Sequence, residues 1–323
     1  MTSYRTIKQD YEAYEYRDLD GEIKSVNREW IELLKLLERI NPCSQSYELA
    51  DDCLIVSYKF KLNILNFKGC LPLRLKMEVI GLPISISHQG YFGDSHMVKN
   101  LVEGRKGLKL ILNSDSKFEN GGATLSSFIF LNRFKSFDDY IFSLRSSYRR
   151  RINKALKAGK DIAIKKIDNK DFTKEHYNLY LSIMRRTKDP LETLDIEFFK
   201  RYKSEIYEFI DRPSGRLVGF IQLKQIDQEL LFLFGGFHKE DNKDNDLYYN
   251  MLLKIIRIGI ERKVKTIEFG QTAEETKLKI GCKEKKKYLY IHHSNRLINF
   301  FLKSLVPRFS YKFYPKEHKV FKD

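Results

Sequence analysis

The sequence predicts an α/β (α+β) fold, and three consecutive stretches carry that prediction. Residues 230–234 form a short uninterrupted apolar run, as expected of a strand buried on both faces. Residues 247–262 place Tyr248, Met251, Leu252, Ile255, Ile256 and Ile260 at three- and four-residue spacing, with Asn250, Lys254, Arg257 and Glu261 on the other side. That is the pattern of an amphipathic helix. Residues 266–269 return as a second strand and turn at Gly270. A crossover of this length favours a parallel, right-handed strand–helix–strand unit. A ligand belongs where the helix N-terminus meets the carboxyl end of the first strand.

Composition sets the wider bounds. A chain of 323 residues is long for one core and comfortable for two lobes, and 42% hydrophobic residues supply core despite 32% charge. The net charge of +16 calls for an anionic partner, such as a phosphorylated cofactor, RNA or an acidic membrane surface, or else reflects lysine used as surface filler. Cys43, Cys53, Cys70 and Cys282 show no CxxC spacing and read as reduced thiols. The N-terminal stretch carries charges where a signal peptide needs an apolar block, and no stretch is apolar enough to span a bilayer. The expected location is the cytoplasm.

Taken in order, the first 25 residues are polar and tyrosine-rich and read as a loose arm. Residues 26–40 form a helix with Trp30, Leu33, Leu34 and Leu37 on one face, closed by Asn41 and Pro42. Strand-like runs follow at 53–60, 62–67 and 71–80, then a short helix at 97–103 and strands at 107–112 and 124–130. Residues 137–158 read as one long basic helix that ends at Gly159. Next come a strand at 161–167, a helix at 174–186 with Tyr177, Tyr180, Leu181 and Met184 inward, and a helix at 195–207. A strand meander covers 207–237, and residues 238–246 form a polar loop in which Asp246 is positioned to cap the next helix. A strand at 285–292, a helix at 297–306 and a basic, aromatic tail at 307–323 close the chain. The tail either crosses the sheet or lies on a membrane as an amphipathic anchor.

The stretch 266–282, "TIEFGQTAEETKLKIGC", following strand, glycine pair, loop and helix, resembles the catalytic half of the GNAT superfamily of N-acyltransferases. The likeness is to its Fem-like branch, which includes the aminoacyl transferases of peptidoglycan cross-bridges. Glu268, Phe269 and Gly270 match the acidic-aromatic-glycine strand end, and Lys277 matches the lysine of the family's Tyr-Lys pair, with Thr276 in the aromatic position. Lys279, Ile280 and Gly281 stand for the basic-aromatic-glycine ending, with Ile280 in the aromatic position. Residues 137–159 resemble the basic helix that opens the second lobe in these relatives. The resemblance implies two GNAT-like lobes, each a mixed central sheet flanked by helices: a degenerate one over 1–135 and an acyltransferase domain over 136–323.

The implied chemistry is transfer of an acyl or aminoacyl group to an amine acceptor, such as a cell-wall or polysaccharide precursor. Such transfer needs a held amine, a route for its proton and a donor for the developing oxyanion. A bulge at Gly235 and Gly236 would free a backbone amide, so Gly236 and Phe237 are the candidate donors, unless the glycine pair is a simple turn. Glu268 is the carboxylate best placed by sequence. Gly235, Lys243, Asn245, Tyr248, Tyr249, Gln271, Thr272 and Lys277 are the candidate donor-substrate contacts around the junction. Lys277 is either a substrate or phosphate contact, as the resemblance assigns it, or an exposed helix lysine. The donor is an acyl-CoA such as acetyl-CoA, or an aminoacyl-tRNA; Glu240, Asp241, Asp244 and Asp246 oppose a pyrophosphate in the loop before the helix. Arg145, Arg149, Arg150, Arg151, Lys154 and Lys157 either form a solvated face or offer phosphates a surface for tRNA. A non-catalytic module that binds RNA or an anionic surface through that helix is the competing reading. His292 and His293 point to opposite faces of a strand, and no metal site is expected.

Overall fold

A computed structural model describes residues 5–7, 26–40, 45–50, 53–63, 74–186, 192–314 and 316–322. Most of the expected arm, the Asn41–Pro42 closure, Cys43, Cys70 and most of the expected strand over 62–67 lie outside the described residues; within the arm, Arg5–Ile7 is not loose but pairs as a strand with residues 47–49. The chain divides into two compact units, Met1–Leu125 with Lys286–Phe313 and Ser126–Lys285 with Tyr314–Asp323. The sequence reading placed the boundary at 135/136 and left the whole C-terminus in the second lobe. Residues 286–313 instead belong to the first unit, because strand β13 (Lys283–His293) pairs from Tyr288 onward with β6 (Leu108–Ser114).

The first unit is a mixed sheet with helices. Its strands are β1 (Arg5–Ile7), β2 (Gln45–Ala50), β3 (Cys53–Asn63), β4 (Arg74–Ile80), the short β5 (Tyr91–Phe92) against β3, then β6 and β13. Among the described residues, only its β4–β6 pair is parallel. Helix α1 (Arg28–Ile40) buries Trp30, Leu33, Leu34 and Leu37, the stripe expected from their spacing. Helix α2 (Ser95–Glu103) starts where the Asp94 carboxylate accepts from the Met97 amide at 2.8 Å. Val98 and Val102 on α2 meet Ile55, Ile80, Ile111 and Tyr290 in the core.

The second unit carries the sheet β7–β12–β11–β10–β9–β8, made of β7 (Gly122–Leu131), β8 (Ile162–Ile167), β9 (Glu205–Asp211), β10 (Leu217–Ile226), β11 (Glu229–Phe237) and β12 (Thr266–Glu268). The β11–β12 pair is parallel, as the crossover length required, and its other pairs are antiparallel. The expected long basic helix is two helices, α3 (Phe137–Ser143) and α4 (Ser146–Ala158), with Leu144 and Arg145 extended between them. The break has a partner: Leu144 bridges Phe321, and the Arg145 amide donates to the Val320 carbonyl at 2.9 Å. The C-terminal tail therefore packs as a strap within this unit.

Helix α5 (Lys174–Met184) buries His176, Leu179 and Tyr180, so the face turned inward differs from the one expected. The imidazole of His176 explains the rotation. Its Nδ1 accepts from the Thr173 amide at 3.1 Å, and its Nε2 lies 2.9 Å from Glu208. Burial holds the His176 pKa below the ordinary value, against the pull of Glu208. Helix α6 (Ile196–Arg201) is shorter than expected because Glu205 already belongs to β9.

Candidate active site

The parallel pair at the centre of the second unit opens at its carboxyl end. β11 and β12 pair only through Glu229–Thr266, Leu230–Ile267 and Leu231–Glu268. Beyond Leu231, β11 continues to Phe237 paired only with β10 among the described residues. A bulge marks the point of divergence. Gln222 faces Phe234 while Leu223 faces Phe232, so Leu233 is the extra residue. The bulge is thus at 232–234 and not at the glycines. The backbone amide freed by bulging moves from Gly236 and Phe237 to that stretch.

Gly235 and Gly236 have another reason to be glycine. They sit in regular register opposite Ile221 and Phe220. A Cβ on Gly236 would lie 2.6 Å from the Leu179 carbonyl carbon and 2.7 Å from the Tyr180 nitrogen, so α5 crosses there backbone to backbone. A Cβ on Gly235 would meet Met251 at 3.2 Å on the opposite face. Both glycines serve helix–sheet packing. Phe237 is also occupied: its carbonyl accepts from Ser182 at 3.1 Å, and its ring stacks on Tyr248 at 5.6 Å.

The stretch expected to be an acidic loop is helix α7 (Lys239–Asn245), and it runs almost directly into α8 (Leu247–Glu261). Asp246 sits between them in the left-handed region, φ 46°, and does not cap α8 with its side chain. Its carboxylate instead receives both guanidinium nitrogens of Arg151, at 2.9 and 2.8 Å. Asn242 does the capping, accepting from the Tyr248 amide at 2.7 Å. Asn250 closes the same corner, donating to the carbonyls of Ala155 at 2.8 Å and Asn245 at 3.0 Å. One amide of the α8 N-terminus is thus held by a side chain, and the acidic side chain of Asp241 is held by Arg216. Lys243 is exposed on α7, and Asn245 contributes its carbonyl to Asn250.

The turn after β12 differs in kind. Gly270, Thr272 and Ala273 all have positive φ, 69°, 64° and 50°. Two successive non-glycine residues in that region are strained, at a cost of about 1–2 kcal/mol each. The turn leads into helix α9 (Glu274–Lys279), and Lys277 on α9 folds back over it. Lys277 is 1% exposed, and Nζ donates to the Gly270 carbonyl at 3.0 Å and to the Gln271 carbonyl at 2.6 Å. Burial lowers its pKa to about 7, against the opposing pull of the Glu268 and Glu274 carboxylates. A neutral amine has two protons and one lone pair. Both protons are spent on the two carbonyls, which leaves the lone pair free.

Other groups gather around this amine. Glu268 is buried at the end of β12, and Phe128 on β7 presents its ring 5.7 Å from Nζ. Cys282 is buried, and burial pushes its thiol up, so it is a protonated neighbour. Burial also pushes the phenol of Tyr249 up to about 12, and its hydroxyl has no partner among the described residues. The Tyr248 phenol is likewise raised, by burial first. The sequence put Tyr248 on the apolar stripe; Tyr249 is buried and Tyr248 half-buried. Behind Lys277, the strap fixes α9. His318 joins Glu275 at 3.0 Å and Tyr148 at 3.1 Å, and the Phe321 ring fills the space a Cβ on Gly281 would take.

Solved structures share this arrangement of elements. FemX matches with a TM-score of 0.52 at 11% identity, over 92% of this chain and 100% of that one. The C-terminal domain of a putative lysylphosphatidylglycerol synthetase from Agrobacterium fabrum matches with a TM-score of 0.51 at 9% identity, over 89% of this chain and 95% of that one. The chain shares the fold of these two structures, a mixed sheet flanked by helices. No protein-family model and no curated protein matches it.

Of the expected site residues, Glu268, Gln271, Thr272 and Lys277 come together at the turn, with Tyr248 and Tyr249 at the start of α8. Gly235, Gly236, Lys243 and Asn245 serve packing, exposure or capping instead. The sequence reading missed the bulge at 232–234, which lies in an unbroken apolar run, and the Asn242 cap, for which an asparagine six residues before Tyr248 was the only signal.

Proposed function

We propose that the second unit transfers an acyl or aminoacyl group to an amine, with Lys277 accepting the proton that the amine loses. One observation carries the reading: a buried lysine whose two protons are held by the Gly270 and Gln271 carbonyls, with a pKa brought to about 7. Proton transfer is efficient when the catalytic pKa lies near the working pH. The bulged amides at 232–234, beside the opening of the parallel pair, are suited to the oxyanion.

The donor we favour is an aminoacyl-tRNA. The α8 N-terminus, where a pyrophosphate would dock, is already capped by Asn242 and flanked by Asp246. Arg151 on α4 is spent on Asp246, and Arg145, just before α4, on the Phe321 carbonyl. Arg150, Lys154 and Lys157 stay exposed and suit phosphates of a larger donor. An acceptor bearing a primary amine, such as a cell-wall or polysaccharide precursor, follows from the chemistry.

The test is a transfer assay with labelled aminoacyl-tRNA and with acetyl-CoA, over a panel of primary amines. Label should move to an amine in the wild type and stay on the donor with Lys277→Met. Binding of uncharged tRNA as tight as charged, with no transfer to any amine, would favour the RNA-binding module instead.

A further inference from the structure

Helix α10 (Arg296–Leu305) in the first unit is built the wrong way round for a soluble protein. Surface helices turn their apolar stripe to the core. Here no residue of the helix is buried, and Leu297 is 73%, Phe300 66% and Phe301 63% exposed. Ile298 and Leu305 extend the same surface. The side turned to the protein carries Asn299, whose Oδ1 accepts from the His293 amide at 3.2 Å, and the half-buried Leu302. The arrangement is firm at both ends. Asn295 caps the start, accepting from the Leu297 and Ile298 amides at 3.0 and 3.2 Å. After the helix Val306 is buried, Ser310 Oγ accepts from the Ala123 amide at 3.1 Å, and the Tyr311 amide donates to the Ala123 carbonyl at 2.9 Å.

Charge selects the occupant of this face. Residues 296–313 contain Arg296, Lys303, Arg308 and Lys312, all exposed, and no acidic residue. A two-fold contact between copies would set these cations against the same cations of the other copy. An anionic bilayer answers both features, taking the aromatic and aliphatic side chains below the headgroups and the cations at their level. At 10 residues the helix is about 15 Å long, half of a bilayer core of roughly 30 Å, so it lies in the surface plane. No described helix is long and apolar enough to cross. We propose that α10 seats the protein on an anionic membrane surface through Leu297, Phe300 and Phe301, with Arg296, Lys303, Arg308 and Lys312 as the electrostatic rim.

Co-sedimentation of the full chain with vesicles of phosphatidylcholine, with and without phosphatidylserine, tests this. The wild type should pellet with the phosphatidylserine vesicles and be released by high salt. A Leu297→Gln, Phe300→Gln, Phe301→Gln variant should stay in the supernatant with an unchanged melting temperature, because these side chains contact solvent in the free protein. Arg296→Glu with Lys303→Glu should weaken binding at least roughly tenfold. A wild type that stays in the supernatant, or a triple variant that pellets equally well, overturns the proposal. So does light scattering that finds a wild-type dimer and a monomeric triple variant, which would assign the face to a second copy.

Discussion

Two places at the carboxyl end of the same parallel strand pair handle their polar groups in opposite ways. At the start of α8 side chains of the protein answer its polar groups: Asn242 takes the Tyr248 amide, Arg151 pairs with Asp246, and Asn250 donates to the carbonyls of Ala155 and Asn245. At the turn after β12 it accepts strained backbone at Thr272 and Ala273 and buries an amine beside Glu268 and Cys282. A helix N-terminus is a ready anion site only when its donors are unspent. The comparison therefore moves the chemistry from the first place to the second.

Mutations at the two places should separate accordingly. Lys277→Met has the largest expected effect, a loss of transfer of about 10²–10⁴-fold with the fold retained. The same variant reports on pH. Because the folded pKa of Lys277 is lowered to about 7 from 10.5, the unfolded chain binds the extra proton between these values. Wild-type stability should rise with pH across that window, and the melting-temperature gap between Lys277→Met and wild type should shrink toward pH 10.5. A gap independent of pH would break the comparison.

Gly236→Ala should lower stability by ~1–3 kcal/mol in urea denaturation, because its Cβ would meet the Leu179 and Tyr180 backbone. Gly270→Ala, with φ 69° and no atom within 4 Å of the new Cβ, should cost about 1 kcal/mol and slow transfer by disturbing the Lys277 carbonyl pair. Asn242→Ala should cost about 1 kcal/mol in stability through the lost cap, with transfer little changed.

A further effect, on stability alone, lies away from both places. Burial works to raise the Glu205 carboxyl, but hydrogen bonds from Arg262 and Lys166 outweigh it and hold its pKa at about 2. The stabilisation is present above pH 4.5 and lost as pH falls toward about 2, so Glu205→Gln should match the wild type only in strong acid.

Much of the second unit was legible because its signals are periodic. The stripe of α8 and the apolar run of β11 specified a parallel crossover without any tertiary knowledge. Lys277 was singled out by the resemblance and by its place in the helix after the second strand. Burial of its amine was not legible, since it depends on Phe128 from a distant strand and on a turn that folds α9 back. The glycine pair misled for a physical reason: close helix–strand approach and bulging both demand glycine, and only the position of α5 distinguishes them. The break at Leu144 was hidden because its partner, Phe321, lies at the far end of the chain. Residues 238–246 concealed a helix, since their acidic side chains find partners such as Arg216 that sequence order does not reveal.

The most direct test is the titration of Lys277 itself, followed by NMR of selectively labelled lysine side chains and assigned with Lys277→Met. The account predicts one lysine with a midpoint at about 7. If every lysine titrates near its ordinary value of about 10.4, the amine is protonated at neutral pH and does not take the proton of an attacking amine.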